Sequence, residues 1–265
     1  MTDDLRIWHY GLMAERWAKS INDAPELSFF EKQIEDFGQP VLDVACCTGR
    51  LLLPFLHAGI DIDGCDISRD MLQYCLQRVQ QEGFQAHLVE QPMHAFEMPR
   101  QYKTIYICGS FGLAGSRGKD LETLRCCYKH LKSDGALIFN IQAEYAWSEA
   151  WQMWLKENRQ NLPQAWPKEG SRKVAADGSE NIAYFRMVDI DPLEQCYTRQ
   201  VRLEKWENNE LVRSEEYSLR GNMYFKNEVK LMLEVAGFEN IAIYGDHEYE
   251  PVTADHKEII FIATI

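Results

Sequence analysis

The run Val41-Leu42-Asp43-Val44-Ala45-Cys46-Cys47-Thr48-Gly49-Arg50 is where residue types and spacing point most directly to chemistry. A short apolar strand leads through a glycine-bearing turn into a helix start. Such a turn brings the free N–H groups of a helix N-terminus against a ligand's polar groups, and close approach of the main chain favours glycine. The next expected strand, Ile60 to Asp66, ends in an acid, and Ser68 beyond it can cap a following helix. Of the eight cysteines none forms a C-x-x-C pair, so neither a zinc ribbon nor a dithiol redox centre is signalled. Cys46, Cys47, Cys65 and Cys108 fall at the carboxyl ends of expected strands one, two and four. A thiol cluster there for metal or redox sensing stands as the alternative to small buried hydrophobes.

Regular elements must hold these residues in place. Helical spacing of apolar positions runs from Leu5 to Lys19 and again from Glu26 to Phe37, after Pro25 and before Gly38. Strands are expected at Pro40–Ala45, Ile60–Asp66, Phe84–Val89, Tyr102–Cys108 and Ala136–Ile141. A helix opens at Gly49 to His57, another follows Ser68 through Met71, Leu72, Cys75 and Val79, and a third spans Asp120 to Leu131. Ser133-Asp134-Gly135 turns into the fifth strand. This alternation implies an α/β chain with a parallel sheet and helices on both faces, whose ligands sit at the carboxyl ends of the strands.

After Tyr145 the pattern changes. Residues 146–166 are rich in Trp, Gln and Asn, with a helical start, and apolar alternation begins at Asn181. Cys196–Trp206 and Leu211–Arg220 flank a hairpin signal at Glu207-Asn208-Asn209-Glu210, which implies inserted antiparallel strands. A helix at Asn227–Ala236, a Gly237-Phe238 stop and strands at Ile241–Tyr244 and Glu258–Ile265 complete the chain.

The segment 41–50 resembles the first motif of class I S-adenosylmethionine-dependent methyltransferases, V-L-D-x-G-x-G-x-G, keeping the glycine at 49 while Ala45 and Cys47 replace the other two. Gly64-Cys65-Asp66-Ile67-Ser68-Arg69-Asp70-Met71-Leu72 looks like that family's G-x-D-x-S-x-x-M-L. Glu90 to Phe96 stands where the family has Q-G-D-M-R-D-F, with Pro92 in place of the first acid. Leu131 to Gly135 resembles L-K-P-D-G, Ala236-Gly237-Phe238 matches a common A-G-F turn, and Tyr10, Ala14 and Trp17 resemble the Y-x-x-x-A-x-x-Y opening of small-molecule N-methyltransferases. The order of helices, core and β-insert is similar to amino-sugar and glycine/sarcosine-type enzymes.

The resemblance implies a Rossmann-like seven-stranded sheet, mostly parallel with an antiparallel last strand, helices on both faces and an inserted antiparallel β region. It divides the chain into a cofactor-binding core at 1–145 and 223–265, with a helical cap at 1–38, and a substrate or lid region at 146–222. It implies S-adenosyl-L-methionine as cofactor, contacted by Tyr10, Trp17, Asp43, Ala45, Cys46, Cys47, Gly49, Arg50, Asp66, Ile67, Met71, Met93, His94, Cys108 and Gly109. Asp66 would take the ribose hydroxyls, a role for a group that offers acceptors only, and Asp43 would support the methionine amine. Ser110, Phe111 and Glu144 are the candidate substrate contacts. No catalytic base and no metal ligand are assigned. The expected reaction is methylation of a small molecule, at nitrogen because no base stands out.

Two alternatives remain. One is a non-catalytic S-adenosyl binder with an altered first motif. The other is a nicotinamide-dependent oxidoreductase, whose G-x-G-x-x-G turn would place glycines at 45, 47 and 50, where the chain has Ala45, Cys47 and Arg50. Composition narrows the partners. With 28 Lys and Arg against 41 Asp and Glu the net charge is −13, which repels phosphate backbones, and no basic run offsets it. Apolar stretches such as Ile259 to Ala263 are too short to span a bilayer, and the acidic start at Met1 to Asp4 is unlike a secretory signal. The expectation is a cytoplasmic monomer or homodimer that binds neither nucleic acid nor membrane.

Overall fold

The computed structural model describes residues 9–21, 23–175 and 177–265. The expected start of the first helix at Leu5 and the acidic N-terminus lie outside them. In chain order the elements are α1 (Leu12–Ser20), α2 (Leu27–Phe37), β1 (Val41–Val44), α3 (Leu52–His57), β2 (Ile62–Asp66), α4 (Arg69–Gln81), β3 (Leu88–Glu90), β4 (Tyr102–Ile107), α5 (Arg117–His130) and β5 (Leu131–Gln142). The short helices α6 (Ser148–Gln152) and α7 (Lys156–Arg159) follow, then β6 (Ser171–Val174), β7 (Glu180–Asp191), β8 (Cys196–Glu207), β9 (Glu210–Asn222), α8 (Lys226–Ala236), β10 (Asn240–Gly245) and β11 (Glu258–Thr264).

Local signals set most boundaries. The Ser68 hydroxyl accepts from the Met71 N–H and Ser116 from Lys119, capping α4 and α5, and Gly237 ends α8 in the left-handed region. Asn208 and Asn209 both take positive φ, which makes the tight β8–β9 turn. Buried β1 and β2 are apolar runs broken by one acid each, Asp43 and Asp63, beyond which β2 ends on Asp66.

A seven-stranded sheet has the order β10-β11-β5-β4-β1-β2-β3, all parallel except β11, which runs antiparallel to both neighbours. Two apolar layers cover it. Phe30, Phe55, Leu52 and Tyr106 lie on the α2–α3–α4 side, and Leu124, Leu233, Phe96 and Phe139 on the α5–α8 side. Order reverses between β1 and β4, so a crevice opens above their carboxyl ends. The second sheet, β6-β7-β8-β9, is antiparallel. It shares an apolar cluster with α1, in which Leu12 and Met13 pack on Ala183, Val201, Leu203 and Tyr217. Buried Arg16 of α1 donates to the Asn181 carbonyl at 2.9 Å. Removing this sheet would strip the apolar partner from α1.

Some expectations shift. The third strand is only Leu88–Glu90, because the chain after Gly83 is still turning off α4 and the Phe84 N–H bonds back to Val79 O. Ser133–Gly135 lies inside β5 instead of forming a separate turn, and a register shift against β4 absorbs it. Strand β6 carried no alternation to find, since all four of its residues are exposed. Among the described residues no helix is long and apolar enough to cross a membrane.

Candidate functional site

All three glycine positions of the first motif take positive φ: Ala45 at 64°, Cys47 at 49° and Gly49 at 83°. The backbone therefore keeps a glycine-turn path although two of the three residues carry a Cβ, at a cost of order 1 kcal/mol or more each. Gly49 has no such latitude. A Cβ there would stand 2.8 Å from Cys75 Sγ and 3.3 Å from Leu53 Cδ1. Gly49→Ala is expected to destabilise the fold by about 2–4 kcal/mol, combining backbone strain and overpacking, as read from its denaturant midpoint. A change below about 0.5 kcal/mol would mean that the turn relaxes freely.

Asp66, 5% exposed, knits this turn to α4. One carboxylate oxygen accepts from the Ser68 N–H at 2.7 Å and the other from the Cys47 N–H at 2.9 Å. Burial raises its pKa, and these N–H groups oppose the rise. The Cys47 thiol and the Ile67 N–H oppose it too, so a ribose hydroxyl would take its place among donors of the turn on a group that offers acceptors only.

Above the turn lies a cavity of about 1110 Å³. Tyr10, Ala45, Cys47, Asp66, Ile67, Met93, His94 and Ser110 of the expected site residues line it. Tyr10 closes the Asp66 corner, its hydroxyl donating to Ile67 O at 3.1 Å. The α1 N-terminus has no cap of its own, and partners from two layers supply one: Asp70 of α4 accepts from Gly11 N–H at 2.7 Å and Glu215 of β9 from Leu12 N–H at 2.9 Å. These bonds hold residues 9–11 along the cavity wall. Cys47 reaches the wall without filling the crevice, and burial, then Asp66 and Asp43, push its thiol well above the ordinary range.

The other expected contacts form no part of this wall. Trp17 packs with the α1–sheet cluster. Asp43 is buried behind the turn, and burial pushes its carboxyl up to about 7. Cys46 and Met71 are core, and Phe111 packs on Phe139 and Tyr224 at ring-centre distances of 4.7 and 5.4 Å. The Arg50 guanidinium pairs with Glu26, and the Cys108 thiol donates to the same carboxylate at 3.1 Å, tying the start of α2 to β1 and β4. Gly109 N–H donates to Asn140 Oδ1 at 2.7 Å. Glu144 is 7% exposed and stands 3.5 Å from Arg199 of β8.

The thiols divide between layers, Cys65 with Val44 and Leu42, Cys46 and Cys108 with the α2–α3 layer. Among the described residues no group of three or more His, Cys, Asp or Glu could hold a metal ion.

Sequence reasoning missed His9, Asp70, Gln91, Lys119, Arg213 and the strand segment 215–220, all on the cavity wall. Asp70 sat inside a recognised motif, where its position in the first turn of α4 could have suggested a reach to α1. For β9 no local signal existed.

The site fits a nucleoside sulfonium. The cavity has the volume, the Asp66 carboxylate presents acceptors on its wall, and Gln91, Pro92, Met93 and His94 line it beside Asp66, where a flat base can lie. Residues 41–135 match the family described as Methyltransferase domain. A Geobacillus sp. (strain WCH70) protein named as a putative methyltransferase is 26% identical over 144 residues, covering 51% of this chain and 58% of that one. The chain spans about half the length of the curated relatives it matches. An S-adenosylmethionine-dependent methyltransferase from Clostridium acetobutylicum ATCC 824 superposes with a TM-score of 0.72 at 16% identity, covering 92% of each chain. The sugar N-methyltransferase KedS8 from Streptoalloteichus sp ATCC 53650 does so at 0.66 and 16%, covering 91% of this chain and 88% of that one. At these identities the likeness is one of fold. Residues 41–135 thus match a methyltransferase domain, in a chain that has the fold of S-adenosylmethionine-dependent methyltransferases.

Proposed function

We propose that this chain transfers a methyl group from S-adenosylmethionine to a nitrogen of a small molecule bound in the cavity between the two sheets. When bound, the cofactor supplies a methyl group activated on a sulfonium. Asp66 would hold the ribose, Tyr10 would close over that corner, Met93 and His94 would meet the adenine edge, and Asp43 would support the methionine amine from behind the turn. Ser110, at the end of β4, faces the acceptor side. Residues 9–11 would shield the crevice from water, and the protein's part is alignment in a dry cleft.

The observation that carries this reading is the buried Asp66 carboxylate at the cavity wall, held by the backbone of a turn that keeps positive φ at all three motif positions. Nitrogen is favoured because the cavity's histidines are weak bases. Burial lowers His9 to about 4, and burial followed by Lys119 lowers His94. A hydroxyl would need a stronger base within reach, whereas a neutral amine needs little help. KedS8, a sugar N-methyltransferase of the same fold, supports the same choice.

Calorimetric titration with S-adenosylmethionine and its demethylated product, followed by label transfer to a panel of amines, tests the proposal. Binding without transfer to any amine would make the chain an S-adenosyl ligand binder. Cys47→Gly adds a sharper check. Removing the side chain at φ 49° should leave stability within about 1 kcal/mol while tightening cofactor binding several-fold, because main chain replaces a thiol on the wall. Weaker binding by this variant would show that the thiol itself contacts the ligand.

A further inference from the structure

We infer that the methyl acceptor is an amine at one end of an extended amide chain, whose backbone pairs with the free edge of β9. This deepens the proposed transfer and rests on it. Strand side chains alternate between faces, so a wall made by one face would show every second residue. The cavity is instead lined by the consecutive residues Glu215 to Arg220, with Arg213 just before them. A strand that presents its residues this way turns its edge to the cavity, and β9 is the edge strand of its sheet.

That edge is open. Among the described residues the main chain from Leu211 to Gly221 bonds β8 and nothing else. The side chains along it are already engaged. Glu215 accepts from Leu12 N–H and pairs with Arg213, Glu216 pairs with Arg202, Ser218 accepts from Gln200 at 3.3 Å, and Tyr217 donates to Glu215. What remains for a ligand is a row of N–H and C=O groups, over about 25 Å for 213–220 at the usual rise. Proteins normally blunt such edges, and one walled inside a cavity is protected from chance pairing but open to an extended ligand.

The edge also has a defined end. Asn222 N–H donates to Gly112 O at 2.9 Å, so the loop after β4 closes the row two residues beyond Ser110. A chain paired along β9 therefore runs up to Ser110, on the acceptor side, and stops there. Its terminal amine is the group delivered.

The test uses the full chain and a randomised tetrapeptide pool with free amino termini, beside an ester-linked version of the pool and glucosamine. Cofactor binding is measured first by calorimetry, which reports on the proposed function separately. Backbone hydrogen exchange over 211–222 is followed with each probe, with and without S-adenosylhomocysteine. The expected result is exchange slowed at least tenfold in that segment by the amide pool, label transfer from S-adenosylmethionine to it, and kcat/KM at least tenfold lower for the ester pool. Unchanged exchange with the amide pool, equal use of ester and amide pools, or methylation of glucosamine alone would overturn the inference even where the cofactor binds. The cofactor-free exchange arm reads β9 pairing even if it does not.

Discussion

Replacing Asp66 with alanine is expected to weaken S-adenosylmethionine binding by about 10²–10³-fold. The carboxylate would give two charge-assisted hydrogen bonds to the ribose, each worth about 1.5–3 kcal/mol, and a loss of about 3–4 kcal/mol corresponds to that range. Alanine also removes the acceptors of Ser68 N–H and Cys47 N–H. A buried N–H left without a partner costs about 1–3 kcal/mol, so Asp66→Ala should unfold more readily. Asp66→Asn separates the two effects. It keeps one acceptor oxygen and nearly the same volume, so its denaturant midpoint should stay closer to the parent while binding still falls by about 10-fold or more, because the amide turns two acceptor sites into donors. S-adenosylhomocysteine should lose as much affinity as S-adenosylmethionine, since both present the same sugar. Undiminished binding by both variants would move the ribose away from Asp66 and take the proposed placement with it.

The parts of the site built within about thirty residues of sequence were readable in advance. The β1 turn, Asp66 at the end of β2 and the Ser68 cap all come from short-range rules: an apolar strand, a residue that tolerates positive φ, a hydroxyl before a helix. The structure adds that Ala45 and Cys47 keep the glycine path, which substitution in the motif had put in question. What escaped depends on partners far along the chain. Glu215 caps α1 from more than two hundred residues away, and nothing local to either segment announces the bond. Alternation in β9 says which residues face the core, but not that the strand is an edge or that the edge borders a cavity. Arg50 and Cys108 were expected at the ligand because of their place in the motif and strand, yet Glu26, brought in by α2, engages both. Charge pairing across elements redirects side chains that a linear motif would assign to the site.

Asp43, buried behind the turn, is expected to have a large and pH-dependent effect on stability. It lies on β1 at 3% exposure, and burial pushes its carboxyl from the ordinary 3.8 up to about 7, with the Tyr106 phenol and the Arg50 guanidinium pulling it back only in part and Asp66 adding to the rise. The folded protein therefore keeps this proton to higher pH than the unfolded chain does. Between pH 4 and 7 the folded state binds more protons, so this group makes stability fall as pH rises, and above about 7 the loss is complete. A rise of about three pKa steps corresponds to about 4 kcal/mol. Asp43→Asn carries no such titration. Its advantage over the parent should be near zero at pH 4, grow through pH 7 and level off at about 4 kcal/mol, measured by denaturant unfolding at each pH. Ligand binding should read the same proton. A cation at the methionine amine position favours the ionised carboxylate and so drives the proton off. The parent's affinity for S-adenosylmethionine should climb with pH relative to Asp43→Asn up to about 7, and calorimetry in buffers of different ionisation enthalpy should detect proton release in the parent alone. Comparing the two proteins cancels the ligand's own titration. Identical proton release from both would place the cation out of reach of Asp43, even if the stability difference appeared as expected.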